Sequence, residues 1–416
     1  MRLKHPLSPS IDVNGARLWR RLGDLARHGA TPDGGVHRLA LSRSEIAARR
    51  QLVAWGLDAG LTVSSDPAGN LFLRLAGSQN DAEPVLTGSY LDSQPNGGRY
   101  SGSYGMLAAL EALAAIAATG ATPRRPIVAA AWMNGEGVRF RPGYLGSAAF
   151  TGQLPLSQVL ETRDRNGARV ADALEGWRAA TPDILRIALG FAVAAYLEVH
   201  LEQGPELEDR QRQIGVVSAM QGVRRYLVRV EGEAAHAGGM PRGRRRDALS
   251  AAVRIIAALE TLYAAPDVTF TVGQLSVEPN APSVVPHTAT FSVDVRHGDT
   301  TVLARLGDAI RLVCESKKGP CSFSMLDVAA TPSVAFHPHI QAACQNAAQR
   351  LNLSTLALVS QGGHDAQNFV GVCPSGILFI PCHRGISHSA AERIDADSAL
   401  NGARVLAEVL WELSTK

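Results

Sequence analysis

Hydrophobic positions along the chain change period several times, and each change predicts an element. Ser42 to Gly60 repeats at helical spacing, with Ser42 as N-cap and Glu45 three residues on as its capping-box partner. Leu71 to Leu75 is strand-like, Val85-Leu86-Thr87 reads as a short buried strand, Tyr104 to Ala118 as an Ala/Leu helix, and Ile127 to Trp132 as a second buried strand. This alternation predicts an α/β sheet with helices on both faces, which places functional residues on loops at strand ends.

From about Ile214 the character changes. Arg225 to Gly232 alternates with period two, Asp247 to Tyr263 is helical, and Val268 to Leu275 and Ser283 to Arg296 alternate again. Thr301 to Glu315 gives a further helix and Cys321 to Leu326 a strand, an order that predicts an α+β unit inserted into the first domain. Beyond about Thr331 the α/β pattern returns, with helix Pro338 to Leu351, strands Leu356 to Val359 and Gly376 to Ile380, and closing helix Ala396 to Leu413. The expected organisation is a discontinuous α/β domain over 1–213 and 328–416, with the insertion over 214–327.

Composition narrows the function classes. With 416 residues and 46% hydrophobic content the chain exceeds what one core fills, in keeping with two packed domains. The net charge of +3 is small, and the densest basic run, Arg242 to Arg246, is broken by Gly243 and followed by Asp247. A nucleic-acid face needs a sustained basic stripe, so the run reads as a solvated helix start. The N-terminus lacks the apolar core of a signal peptide and no stretch reaches about 18 apolar residues, which predicts a cytoplasmic protein without a membrane span. The five cysteines are an odd number without Cys-x-x-Cys spacing, which argues against a disulfide framework or a thiolate zinc site.

The chemistry-bearing segments fall at the predicted strand ends. Thr87 to Gly102, Asn134-Gly135-Glu136-Gly137-Val138-Arg139-Phe140, Leu197 to Pro205, Glu231 to Pro241, Val293 to His297, Gly362 to Gln367 and Gly385 to Ser389 stand in one order along the chain. Together with Gly34 to Ser42 and Asp66 to Leu71 they resemble the M20 metallopeptidase clan, in its branch of N-carbamoyl-amino-acid hydrolases, β-ureidopropionases and allantoate amidohydrolases. The resemblance spans nearly the whole chain. It implies a two-domain fold in which an α/β catalytic domain carries an inserted dimerisation or lid domain, and hence a homodimer.

Two-metal hydrolases bring carboxylates and imidazoles to ions about 3.5–4 Å apart and use a further carboxylate to take a proton from the bridging water. The resemblance implies five ligand positions, which read Tyr90, Ser101, Glu136, His200 and His388. Tyr90 stands where the family has His, Ser101 where it has a bridging Asp, and Gly135 where it has the general base. Asp92 matches a residue that orients the missing His. A neutral tyrosine is a poor zinc ligand, a serine cannot bridge two cations as a carboxylate does, and glycine moves no proton. The expectation is therefore no tightly bound catalytic metal, at most one weak zinc or manganese ion at Glu136, His200 and His388 with Asp92 nearby.

The resemblance implies a better-kept substrate half. His236 matches a residue that reaches from the partner subunit to polarise the scissile carbonyl, and Arg296 one that binds a substrate carboxylate through its bidentate fork. Gln203, His364 and Asn134 join the candidate substrate contacts, with Ser283 in place of an Asn. Tyr90 serves as candidate acid or base, and Ser101 as nucleophile on condition that His200 or His388 lies within about 2.6–3.2 Å of its hydroxyl. The leading expectation is an enzyme acting at an amide, ureido or related C–N centre of a carboxylate-bearing molecule without the usual metal pair, by hydrolysis, condensation, cyclisation or elimination. Two others stay open: a non-catalytic paralogue that binds an amino-acid-like ligand, in which the histidines are hydrogen-bonded relics, and a one-metal hydrolase.

Overall fold

Four parallel strands, Ser375–Ile380, Ala195–Leu201, Val85–Tyr90 and Ile127–Trp132, lie side by side and are buried along their whole lengths. A strand covered on both faces needs such continuous apolar runs, which is why their sequences barely alternate. The computed structural model describes residues 9–416 and places these strands inside a ten-stranded sheet. Leu71–Leu75 extends it antiparallel to Ile127–Trp132, and Ile214–Met220 runs antiparallel to Ser375–Ile380.

Helices Ser103–Ala118 and Ala396–Thr415 pack together against this sheet, and their apolar faces share a core with Leu197, Val199 and Leu201. Side chains alternate across a strand, so Tyr196, Glu198 and His200 point to the opposite face. There Tyr196 stacks on Phe369 at a ring distance of 4.0 Å and its hydroxyl receives the Trp132 indole N–H at 3.0 Å. The sheet thus rests on an aliphatic layer on one side and an aromatic one on the other.

Helix Arg43–Asp58 starts as its sequence predicts, with the Ser42 hydroxyl accepting from Glu45 N at 3.3 Å. The return half of the capping box differs: the Glu45 carboxylate accepts from Leu41 N at 3.2 Å and pairs with Arg49. Helix Gly15–Ala26, capped by Asn14, was not read from the sequence, and the expected strands Val268 to Leu275 and Ser283 to Arg296 are each split. Pro286 offers no N–H to a ladder and separates Val284–Val285 from Thr288–His297.

The chain divides into two compact units, one ending at Ser218 and resuming at Phe336, the other Ala219–Ala335. The sequence pattern puts the insertion at 214–327. Ile214–Met220 instead lends most of its length to the large sheet, and strand Ser322–Thr331 runs past the expected end. In the second unit Tyr226, Val228 and Val230 meet Ala289, Phe291, Val293 and Val295 beneath helices Ala248–Leu262 and Thr300–Lys317. Among the described residues no helix is long and apolar enough to cross a membrane.

Candidate active site

The candidate residues of the larger unit gather at the carboxyl ends of the four parallel strands. Tyr90 ends its strand, His200 is one residue from the end of its own, Asn134 to Glu136 follow Trp132, and Ser387 and His388 lie beyond Ile380. Ligand sites of open α/β sheets form at such ends. Asn134, Tyr144, Gln203 and His388 all adopt positive φ, between 54° and 60°. Non-glycine residues take this left-handed conformation at a cost, and they cluster where surrounding structure fixes a functional geometry.

Tyr90 is the centre of the arrangement. Its side chain is buried, and its hydroxyl lies 3.3 Å from His200 Nε2. His200 Nδ1 lies 3.0 Å from the Leu201 carbonyl, which only a protonated Nδ1 satisfies, so Nε2 carries the lone pair. That lone pair accepts Gly102 N–H at 3.1 Å and faces the Tyr90 hydroxyl. Burial lowers the His200 pKa to about 4, keeping the ring neutral. Burial, and next the Glu136 carboxylate, hold the Tyr90 phenol well above its usual range, so it remains a protonated donor. Ser101 and Glu136 are the other polar neighbours that bear on it.

Two glycines clamp the Tyr90 ring. A Cβ on Gly135 would lie 2.6 Å from Tyr90 Cβ and closer still to ring atoms Cγ and Cδ1. One on Gly102, at φ +68°, would lie 2.9 Å from the Tyr90 carbonyl oxygen and closer still to Cδ2 and Cε2. The ring fills the space a side chain at position 135 requires, so Tyr90 and Gly135 form one steric unit. Asp92 accepts Gly135 N at 2.9 Å and Glu136 N at 3.1 Å, fixing the backbone under the ring. Burial and the nearby Glu136 raise its carboxyl to about 8.

Glu136 takes an amide hydrogen from Gln94 at 2.7 Å and lies 3.7 Å from His388 Nε2. Its burial raises its pKa to about 7, opposed by the Gln94 and Tyr90 hydrogen bonds. Gln203 sends its amide nitrogen toward Ser101 Oγ (3.2 Å), Ser387 Oγ (2.9 Å) and His388 Nε2 (3.2 Å). Glu392 accepts Ser101 N at 2.9 Å and the Ser387 hydroxyl at 2.8 Å. Gln94 and Glu392 were not singled out from the sequence. Their signal was position: one is two residues beyond Asp92, the other four beyond His388.

Other candidates are placed differently from the sequence expectation. Among the described residues no histidine hydrogen-bonds the Ser101 hydroxyl, which meets Gln203 and Tyr90 instead, so the condition set for a Ser101 nucleophile is not met. The Asn134 amide donates to the Phe140 carbonyl at 2.8 Å and the Pro142 carbonyl at 3.1 Å, securing its own loop. His364 is buried against the His200 ring at 4.7 Å and bonds Ser360 through Nε2 at 3.1 Å.

The donor set does not fit a dinuclear metal centre. Three of the five positions keep a ligand type, but the His200 lone pair is engaged by Gly102 N–H and the Tyr90 hydroxyl. Glu136 and His388 have amides and hydroxyls around them in place of a bridging carboxylate.

His236, Ser283 and Arg296 belong to the smaller unit. His236 pairs with Val284 in a two-stranded ribbon, and its Nδ1 accepts Gly238 N at 3.1 Å and Gly239 N at 2.9 Å. Ser283 is beside it, its carbonyl accepting Ala237 N at 2.9 Å. Arg296 lies on the helix-free face of the sheet, donating to Asp294 at 2.8 Å, and Asp294 also accepts from Arg225 at 2.9 Å. Within strand Thr288–His297, Thr288 pairs with Glu231 near the ribbon and Arg296 with Val223. Eight residues along a strand span roughly 26 Å, so Arg296 and the ribbon lie toward opposite ends of it.

The sequence matches peptidase family M20/M25/M40 over residues 88–412. It is 35% identical over 408 residues to an N-carbamoyl-L-amino-acid amidohydrolase of Rhizobium meliloti, covering 96% of each chain. An allantoate amidohydrolase of Bacillus subtilis is 33% identical over 402 residues, covering 94% of this chain and 95% of the relative. Among solved structures, an amidase of the hydantoinase/carbamoylase family from Burkholderia multivorans superposes with a TM-score of 0.92 at 38% identity, covering 98% of this chain and 100% of that one.

Proposed function

The chain belongs to peptidase family M20/M25/M40, and from that premise we propose that it is an amidohydrolase-like enzyme acting at an amide or ureido C–N bond of a carboxylate-bearing small molecule without a two-metal centre. The observation that carries this reading is the Tyr90 hydroxyl, set 3.3 Å from His200 Nε2 with its ring clamped by Gly102 and Gly135. Support for the bond type comes from the similarity to amidohydrolases over nearly the whole chain.

The residues suffice for proton bookkeeping in hydrolysis. A water attacks the carbonyl carbon while ionised Glu136, with a pKa of about 7, accepts its proton. The tetrahedral intermediate then expels its nitrogen, which takes the Tyr90 phenol proton, and the neighbouring Glu136 returns its acquired proton to the phenolate. Water is consumed, the C–N bond breaks, and both side chains regain their starting states. His200, neutral, orients the hydroxyl. Replacing Tyr90 by Phe tests this reading, as argued in the Discussion.

The partner subunit's His236 as carbonyl polariser and Arg296 as carboxylate clamp complete the proposal; roughly 26 Å apart along one strand, the two reach one small substrate only from different subunits. Arg296→Ala is expected to weaken ligand binding at least about thirtyfold, roughly 2 kcal/mol, and Arg296→Lys to restore only part of it, since an ammonium lacks the planar fork. Titration calorimetry with an N-carbamoyl amino acid measures both, and unchanged affinity in Arg296→Ala would remove Arg296 from the site. His236→Ala is expected to depress turnover more than affinity, because a donor to a developing oxyanion matters most in the transition state. Equal losses in both would contradict that role.

A homodimer through the smaller unit is proposed as well. Strand Ser322–Thr331 forms a sheet edge, and Leu275, Leu326 and Val328 are all more than half exposed on that unit. Unpaired edges and exposed apolar groups are features a partner surface covers. Light scattering at micromolar concentration is expected to give twice the chain mass, with Leu326→Lys shifting it toward the monomer. A fully active monomer would contradict the assignment.

A further inference from the structure

We propose that a cleft in the smaller unit, between the start of helix Ala248–Leu262 and the end of helix Thr300–Lys317, binds a small phosphate-bearing anion. The cleft has a volume of about 630 Å³, within the range of small-molecule sites, and is lined by Arg242, Arg245, Arg254 and Lys317 with Asp247 and Ser250. Four cations face one carboxylate there. That carboxylate caps the helix, Asp247 Oδ1 accepting Ser250 N at 2.9 Å, and the lining stays net cationic.

Two basic residues next to the cleft have carboxylate partners, whereas those lining it do not. Arg246 pairs with Glu233 at 2.9 Å and Lys318 with Glu315 at 2.6 Å. Among the described residues no carboxylate lies within ion-pair distance of Arg242, Arg245, Arg254 or Lys317. Two of the guanidinium groups are nevertheless fixed in place. Arg245 donates to the Met240 carbonyl at 2.9 Å and to that of Ala237, and Arg254 donates to the Lys317 carbonyl at 3.2 Å. Carbonyl partners immobilise a guanidinium without cancelling its charge, and each group retains N–H donors for an incoming anion. Oriented guanidiniums with an adjacent ammonium suit phosphate oxygens, which accept bidentate, charge-assisted bonds.

The size of the patch decides between a small anion and a polynucleotide. A nucleic-acid face extends as a basic stripe, and here the uncompensated charge is confined to one cleft. The site also touches the candidate chemistry. Arg245 bonds the carbonyl of Ala237, the residue after His236, and the His236 ring is itself held by Gly238 and Gly239 N–H. An anion that engages Arg245 therefore acts on the segment that sets the His236 imidazole.

Titration calorimetry of the full-length protein with inorganic pyrophosphate at fixed ionic strength tests the assignment. The expected result is saturable submillimolar binding, one per chain, weakened at least tenfold by Arg254→Ala with Lys317→Ala and unchanged by Arg229→Ala. Arg254 and Lys317 are exposed, so the double variant should fold, and a thermal shift with pyrophosphate should appear in the native chain and vanish in the variant. Absence of saturable binding, equal binding by native and double-variant chains, or tighter binding of a single-stranded oligonucleotide than of pyrophosphate would overturn it.

Discussion

Tyr90→Phe is expected to lower turnover by about 10²–10⁴-fold, the usual contribution of a positioned proton donor, while leaving the thermal midpoint nearly unchanged. The substitution keeps the ring between Gly102 and Gly135 and removes only the hydroxyl that faces His200, Ser101 and Glu136. Because the phenol is held well above its ordinary range, the native enzyme should show no loss of activity from its ionisation at neutral pH. Steady-state rates on an N-carbamoyl amino acid or a ureido acid measure the effect. A variant with native turnover would take the hydroxyl out of the chemistry.

Gly135→Glu is expected to destabilise the native chain by about 3 kcal/mol or more. Overpacking a filled core costs about 1–3 kcal/mol, and here the new Cβ falls on the Tyr90 ring. The added carboxyl would also join Asp92 and Glu136, whose pKa values burial has already raised to about 8 and about 7. In a Tyr90→Ala background the same substitution should cost far less, because the ring that excludes it is gone. Groups in contact give such non-additive effects, and a double-mutant cycle on denaturant midpoints measures them. Strictly additive losses would show that Tyr90 and Gly135 are independent.

The fold was legible because its signals are local and redundant. Buried runs such as Ile127–Trp132 and helices such as Pro338–Arg350 carry their own periodicity, and segments at the strand ends confirmed the order. Pro286 interrupts an alternation that reads as continuous, whereas helix Gly15–Ala26, with Leu18, Leu22 and Leu25 at helical spacing behind Asn14, carries its own local signal. At the site, the residues that differ from the family pattern were visible one at a time, but their dependence was not. Position 90 and position 135 are 45 residues apart, and only the packing of the ring on Gly135 shows that a Tyr at one requires a Gly at the other. The same holds for Ser101: a hydroxyl near two histidines suggested a nucleophile, and the position of Tyr90, together with the Gly102 N–H on His200 Nε2, removes the direct contact.

Catalysis at the C–N bond is proposed to proceed without a metal pair. Its most direct test is turnover of N-carbamoyl and ureido acids by protein whose zinc and manganese have been stripped with a chelator and counted by elemental analysis. Less than one equivalent of metal is expected before stripping, and undiminished turnover after it. Turnover that disappears on chelation and returns with two equivalents of zinc or manganese per chain would contradict the proposal.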